Sequence, residues 1–472
     1  MKPLFILFSL FMICSQLRAE IYIEVMGANV KKAKLALGKV HLLPDPQGIA
    51  DPELARRVEE QLKSDLELLN LFDFITPNLY TQHDQAKDVR TVRFDDWTNL
   101  GTSFVLKLGY KMAGGKLNLE AFLFDIPGKK KVFSTRYNYA SAQYVRLVHA
   151  LSEDILKALT GEKGLFNSRL VMSCRDLKRR RSPPKEIYIA DSDGRNLKAL
   201  TNDETLSLSP SWHPSGKQIV YTQFEFRVYR GLRKKGMTLK RHDLTTGARN
   251  TMSSQEGMNS GGAFSPDGSK LAATLSFSSR PEIYLLNPNI NNTEPELFSR
   301  KIQWKKFSGE GFQASSVNLL FDVEPSWAPD GKKMVISSAR TGHPMIYVVD
   351  IGGMTATQLT FAGTYNASPA WSTKGDKIIF AAQRLAEGNF DLYMIDPDGN
   401  NLTRLTIGDR AGKRRVNSEN PTWAPTGRHI AYAANEGGNY GIYVMSVDGT
   451  GRRKVSPPDK ECFTPSWGPS EG

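Results

Sequence analysis

The sequence predicts an α/β N-terminal domain followed by an all-β six-bladed β-propeller. Three observations carry this. A short phrase recurs six times, as Ser-Pro-Ser-Trp-His-Pro-Ser-Gly at 209–216, Gly-Gly-Ala-Phe-Ser-Pro-Asp-Gly at 261–268 and Glu-Pro-Ser-Trp-Ala-Pro-Asp-Gly at 324–331. It returns as Ser-Pro-Ala-Trp-Ser-Thr-Lys-Gly at 368–375, Asn-Pro-Thr-Trp-Ala-Pro-Thr-Gly at 420–427 and a truncated Thr-Pro-Ser-Trp-Gly-Pro at 464–469. The aromatic anchors Trp212, Phe264, Trp327, Trp371, Trp423 and Trp467 stand 44–63 residues apart, the period of propeller blades. Finally, 168–201 supplies three strands with no anchor phrase before them, and 464–467 supplies a phrase with nothing after it. Together they complete a sixth blade and close the ring, which removes free sheet edges.

The chain begins Met1-Lys2-Pro3, then an apolar run from Leu4 to Ile13, then Leu17-Arg18-Ala19. This reads as a secretory signal peptide over 1–19, cleaved after about Ala19, and its run is too short to span a bilayer. Cys14 suggests a lipoprotein signal, but Ile13 stands where such a signal needs a small residue. Residues 20–163 form the expected α/β domain, headed by the tail Glu20-Ile21-Tyr22-Ile23-Glu24-Val25. That tail alternates like a strand and is able to add to an exposed sheet edge; the alternative is a first strand docked in its own domain. Asp51-Pro52-Glu53 is a helix start, and Leu54, Val58, Leu62, Leu66 and Leu69 then share one face. Phe104–Leu108 and Leu117–Phe124 read as strands around Ala113-Gly114-Gly115. A second helix runs from about Ser141 to Leu159, with core positions Val145, Val148, Ile155 and Leu159 and a cap at Gly161.

The propeller is expected over 164–472. Each anchor leads into a turn and a β-rich run, such as Met334–Ser338 or Ile430–Ala434. Proline sets φ for the first turn position and glycine supplies the positive φ that closes the hairpin. A second hairpin follows, as in Asp391-Leu-Tyr-Met-Ile-Asp-Pro-Asp-Gly399. The stretch 289–321 is longer than its counterparts and carries Trp304.

Without the signal peptide two cysteines remain, Cys174 and Cys462, and an exported pair invites a disulfide. Alignment to the unit anchored at Trp423 places Cys462 at the position of Ser418 and Cys174 at that of Ala434. Those positions face each other across the turn centred on Thr426. The reading is a bond that staples the ring; the alternative is two separate buried thiols. The formal charge is +13, or +11 without Lys2 and Arg18. Basic clusters at Lys178–Arg181, Arg230–Lys235 and Lys413–Arg415 fall in expected loops. They read as solvated tips or as a surface for an anionic envelope partner. Nucleic acid is not expected, since no reading motif accompanies the charge.

Nothing looks catalytic. No two histidines stand at metal-ligand spacing, and His213 and His429 flank turns where a polar surface role is the default. There is no Gly-x-Ser-x-Gly, phosphate loop or dinucleotide fingerprint. Asp191-Ser-Asp-Gly194 and Asp396-Pro-Asp-Gly399 start like calcium loops but lack the later ligands, so turn chemistry explains them. No metal or other cofactor is expected.

The export signal, the small α/β domain, the six blades and Leu159-Thr-Gly-Glu-Lys-Gly-Leu-Phe166 together resemble the TolB family, periplasmic propeller proteins of the Tol–Pal envelope system. The resemblance covers nearly all of the chain beyond the signal. It implies a non-enzymatic, monomeric adaptor for outer-membrane integrity and constriction during cell division. The lipoprotein Pal would bind at the propeller mouth, and TolA would bind the tail Glu20, Ile21, Tyr22, Ile23, Glu24 and Val25. Geometry places the mouth at the residues just before each innermost strand. These are Leu208-Ser209, Met258 to Gly262, Val323-Glu324, Ala367-Ser368, Glu419-Asn420 and Phe463-Thr464. The resemblance implies that the segments matching 258–261 and 323–325 help receive Pal, and the residues expected to bind it are Met258, Asn259, Gly261, Val323, Glu324, Pro325 and Ser368. Asn259, Glu324 and Pro325 match the family pattern, whereas Met258 and Val323 stand where relatives often carry histidine and threonine. Alternatives of other classes are a propeller enzyme acting on an envelope sugar or lactone, with Glu324 and Glu419 near the channel, and a scaffold for outer-membrane protein assembly.

Overall fold

The structure is a computed structural model. It describes residues 32–470 apart from 45–48, 80–87, 163, 180–183, 230, 293, 305–319, 384–387, 408–415 and 437. The signal peptide and the tail 20–25 lie outside the described residues.

The N-terminal part is a five-stranded sheet of order β2-β1-β3-β4-β5. Its strands are β1 (Ala33–Leu42), β2 (Phe72–Phe74), β3 (Phe104–Ala113), β4 (Lys116–Asp125) and β5 (Lys130–Ala140). Helices α1 (Pro52–Leu69) and α3 (Tyr144–Thr160) cover one face; the short α2 (Phe94–Thr98) lies on the other. The Asp51 carboxylate caps α1 by accepting from Leu54 N–H at 2.9 Å, with Pro52 in the first turn. All five apolar positions of its expected face are buried. The second helix differs from the expectation at its start: Ser141–Gln143 is a 3₁₀ turn, and Val145 is only half-buried. Leu147 and Leu151 take up that packing instead. Gly161 closes α3 in the left-handed conformation, its N–H bonded to Lys157 O at 2.9 Å.

Six four-stranded sheets follow in a ring; blade 4 gains a fifth strand. Blade 1 joins the two ends of the propeller: Lys460–Trp467 is its innermost strand, beside Arg169–Asp176, Glu186–Asp191 and Lys198–Ala199. The other innermost strands are Ser207–Trp212, Asn259–Phe264, Asp322–Trp327, Tyr365–Trp371 and Ser418–Trp423, in blades 2 to 6. The extra strand of blade 4 is Gln303–Trp304, which pairs parallel with Thr355–Gln358 at the outer edge of that sheet.

The anchor tryptophans act between blades. The indole N–H of Trp212, Trp327 and Trp423 donates to Ser466 O (3.2 Å), Ala263 O (2.9 Å) and Ala370 O (3.0 Å), each in the innermost strand of the preceding blade. Three of the six aromatic anchors thus satisfy a carbonyl of the preceding blade; Trp371 donates instead to Gly375 O in its own turn (3.1 Å) and Trp467 to Ser168 Oγ (2.8 Å). Cys174 and Cys462 face each other in the ladder, with Cα atoms 4.1 Å apart and the sulfurs bonded.

The strand order gives the propeller two distinct faces. Each innermost strand starts on one face, which also carries the loops between second and third strands and the loops between blades. The opposite face carries the two hairpin turns of each blade, and there the N-terminal part docks. Asn70 Nδ2 donates to Thr450 Oγ1 (2.7 Å), Arg453 Nη1 donates to Ser64 O (3.0 Å), and Glu162 pairs with both Lys374 and Arg428. His429 is 2 % exposed, with Nε2 2.7 Å from Leu68 O, which overturns its expected surface role. Its turn is covered by α1. The junction is not a free linker either: Glu153 on α3 accepts from the N–H groups of Gly164 and Phe166, and Leu165 and Phe166 are buried.

Candidate functional site

The mouth lies on the face away from the N-terminal part, where the innermost strands begin. Each of the six strands carries a one-residue bulge near its start, seen as a register shift against its partner. The bulged residue is left-handed in all six: Ser209, Gly261, Glu324, Ser368, Asn420 and Thr464 have φ of 43–55°. Proline follows in five of them and Gly262 in the sixth. The expected mouth segments therefore sit within the first half of the innermost strands rather than just before them. The bulge turns these residues toward the channel without ending the strand. A left-handed backbone costs an ordinary L-residue about 1–2 kcal/mol, so the surrounding ring must hold it.

Hydrogen bonds between blades supply that support. Glu324 Oε2 accepts from Ser368 N–H at 2.6 Å, and Oε1 from its hydroxyl at 3.1 Å. Asn420 Nδ2 donates to Ser368 Oγ at 3.1 Å, and Ser209 N–H to Thr464 Oγ1 at 3.3 Å. Glu324 is half-buried by area yet enclosed by the channel wall. Burial raises its carboxyl, the Ser368 bonds oppose that, and the charge of Glu419 adds to it; the balance is a raised pKa. Glu419 itself accepts from the Tyr440 hydroxyl at 2.7 Å. Burial, together with that bond, pushes the Tyr440 phenol up to about 12, so it stays a donor.

The remaining mouth residues divide into surface and support. Met258 is half-buried in the turn before its strand, its N–H held by Ser276 Oγ at 2.7 Å. Val323 is half-buried, opposite Ser337. Gly261 leaves open space where a Cβ would stand. Asn259 and Pro325 are buried. The Asn259 amide closes the 253–259 loop, accepting from Ser253 Oγ (2.6 Å) and donating to Gln255 O (2.8 Å), so its contribution is the shape of that loop.

Sequence reasoning placed Phe463 at the mouth but missed the aromatic rim it belongs to. Tyr365 packs edge-on against Phe390 at 5.6 Å, and Tyr440 lies 4.8 Å from Phe463. Lys185 Nζ sits 3.4 Å over the Phe463 ring, its pKa lowered by burial. The available signal was positional: Phe463 precedes its left-handed residue directly and Tyr365 by three. Of the basic clusters, Lys178 pairs with Asp459 at 2.9 Å on this face, and 413–415 lie outside the described residues. Among the described residues, one group, Asp65, His149 and Asp193, has metal-type ligand atoms within 4.8 Å of one another. It lies on the other side, between the domains.

Comparison with known proteins agrees with this architecture. A family model described as the TolB beta propeller domain matches residues 156–303 and 307–471, more than half of the chain. The chain belongs to the TolB family. The model of the TolB amino-terminal domain matches residues 21–132. A TolB homolog of Chlorobium luteolum is 28 % identical over 447 residues, covering 94 % of this chain and 92 % of that protein. The Tol-Pal system protein TolB of Desulfosudis oleivorans is 28 % identical over 270 residues, 56 % of this chain and 57 % of the relative. The crystal structure of TolB from Acinetobacter baumannii superposes with a TM-score of 0.72 at 24 % identity, covering 93 % of this chain and 97 % of that one, and so shares the fold.

Proposed function

We propose that this TolB-family chain is a non-enzymatic periplasmic adaptor of the Tol–Pal system. In this reading the signal peptide 1–19 exports it, and the mouth binds the lipoprotein Pal. The tail Glu20–Val25 binds TolA, and the assembly serves envelope integrity and constriction at division. One observation carries the mouth assignment: six left-handed bulges, five of them joined by cross-blade hydrogen bonds, form a preformed ring on the face away from the described N-terminal residues. Sparse backbone conformations kept at one place point to a functional surface. The rim mixes aromatic rings with half-buried polar groups, as a protein-binding centre does. The paired acids Glu324 and Glu419 would be the start of an enzyme site, but each is already engaged, by Ser368 and by Tyr440. Among the described residues no helix is long and apolar enough to cross a membrane.

Recovery of partners from solubilised envelopes tests the reading. Pal should co-purify with wild type and with a 20–25 deletion, and TolA with wild type alone. Glu324→Arg should weaken Pal binding by about 2 kcal/mol or more, as at a central interface residue. Unchanged affinity in the folded variant would remove Glu324 from the interface.

A further inference from the structure

The interface between the N-terminal part and the propeller contains a buried ionisable cluster with no place in the adaptor reading. His149, on α3, is 5 % exposed and stacks on Phe166 at 5.5 Å. Its Nδ1 lies 2.8 Å from Asp65 Oδ2, on α1, and Asp65 has no exposed surface. Its Nε2 has no hydrogen-bond partner and faces Asp193 Oδ2 at 3.7 Å. Asp193 belongs to the propeller, in the turn after Glu186–Asp191 of blade 1, and is also buried. Gln61 of α1 bridges the two acids through Nε2, at 2.7 Å to Asp65 and 3.1 Å to Asp193. Ser152 Oγ donates to Asp65 Oδ2 at 3.0 Å, and Arg195 Nε lies 3.4 Å from Asp193 Oδ2. Asp191 adds a further negative charge nearby.

We propose that His149, as an imidazolium between Asp65 of the N-terminal part and Asp193 of the propeller, is a proton-operated latch holding the two together. The geometry requires the charge. A neutral ring donates to one carboxylate and leaves the other, at 3.7 Å, facing an acceptor lone pair between buried groups. A protonated ring donates from Nδ1 to Asp65 and turns its second N–H toward Asp193, with which it forms an ion pair at 3.7 Å. Two carboxylates with a single cation would carry net negative charge, and the Arg195 guanidinium offsets it. Burial opposes the charged ring, but the Asp65 hydrogen bond, the charge of Asp65 and then those of Asp193 and Asp191 outweigh it, so the pKa is raised above its ordinary 6.5. A base with a raised folded pKa contributes its stability in full below pH 6.5 and loses it as pH rises through the folded value. The latch is therefore closed below pH 6.5 and is released as pH rises through the folded value of His149. Release loosens the edge where α1 and α3 meet blade 1, while the Asn70–Thr450, Ser64–Arg453 and Leu68–His429 contacts around blade 6 persist. The inference stands independently of which partners the mouth and tail bind.

The test follows the titration and the interface in the full mature chain. The His149 ring proton is titrated by NMR in wild type. Amide exchange, corrected for intrinsic base catalysis, is read at 191–195 and along α3 between about pH 6 and pH 9. His149 should titrate above 6.5, and exchange at those amides should rise about tenfold per unit of its pKa shift across the same range. His149→Asn keeps an amide donor toward Asp65 but cannot titrate, and its profile should be flat. A His149 that titrates below 6.5, or a wild-type profile that persists in His149→Asn, overturns the latch. One equivalent of zinc bound by wild type and not by His149→Asn would also overturn it, by giving Nε2 to a metal instead.

Discussion

At the scale of single residues, one backbone torsion repeated six times separates supporting from presented groups. Gly261 is the only glycine among the six bulged residues, and a Cβ there meets nothing within 4 Å. Gly261→Ala should therefore cost only the conformational strain, about 1 kcal/mol, measured by denaturant unfolding with the slope unchanged. A cost of several kcal/mol would mean a hidden clash. The turns were legible because Pro-Asp-Gly and Asp-Gly carry their own chemistry. The bulges were not: apart from Gly261 and Asn420, their left-handed position falls on Ser, Glu or Thr, none of which announces a positive φ. The buried cluster was equally silent, since Asp65 and His149 stand 84 residues apart. The packing of α1 against α3 brings them together, and the docked turn of blade 1 adds Asp193.

Single strands and blades depend on a few cross-blade contacts. Trp423→Phe keeps most of the ring volume but leaves Ala370 O without its indole donor. A loss of about 1 kcal/mol in unfolding free energy is expected, and no loss would move the anchor's role to packing alone. The closing blade differs from its neighbours. At the position two residues before the left-handed one, blades 2 to 6 bury Ser207, Asn259, Asp322, Asn366 and Ser418, whereas blade 1 buries Cys462. Mutual alignment of the repeats made that register readable in advance, because Ser418 and Ala434 are opposed just as Cys462 and Cys174 are. The joint change Cys174→Ser with Cys462→Ser should cost about 2–5 kcal/mol, and reductant should lower the midpoint of wild type but not of that variant. Equal midpoints would show the thiols unbonded. The fifth strand of blade 4 had no such signal, since two residues are too few for a period.

Taken whole, the molecule has two histidines at one domain interface in opposite states. His149 is held charged. His429 is held neutral: burial lowers its pKa to about 4, the Leu68 carbonyl resists that and Arg428 assists it. The sign follows directly. A base with a depressed folded pKa leaves stability intact above pH 6.5 and withdraws it as pH falls from 6.5 to about 4. Wild type should lose roughly 2–4 kcal/mol over that range relative to His429→Gln, by denaturant unfolding at matched ionic strength. Parallel curves would place the proton elsewhere. The order of the strands in blade 1 has a consequence in time. Cys462 of its innermost strand, Lys460–Trp467, pairs with Cys174 of Arg169–Asp176 at a sequence separation of 288. Five sheets can assemble as the polypeptide is delivered, but the circle has a gap until the closing segment arrives. Maturation is therefore a threshold event: a chain halted before 460 is an open arc with two bare flanks, fit for a protease, and one halted after 467 is a finished wheel.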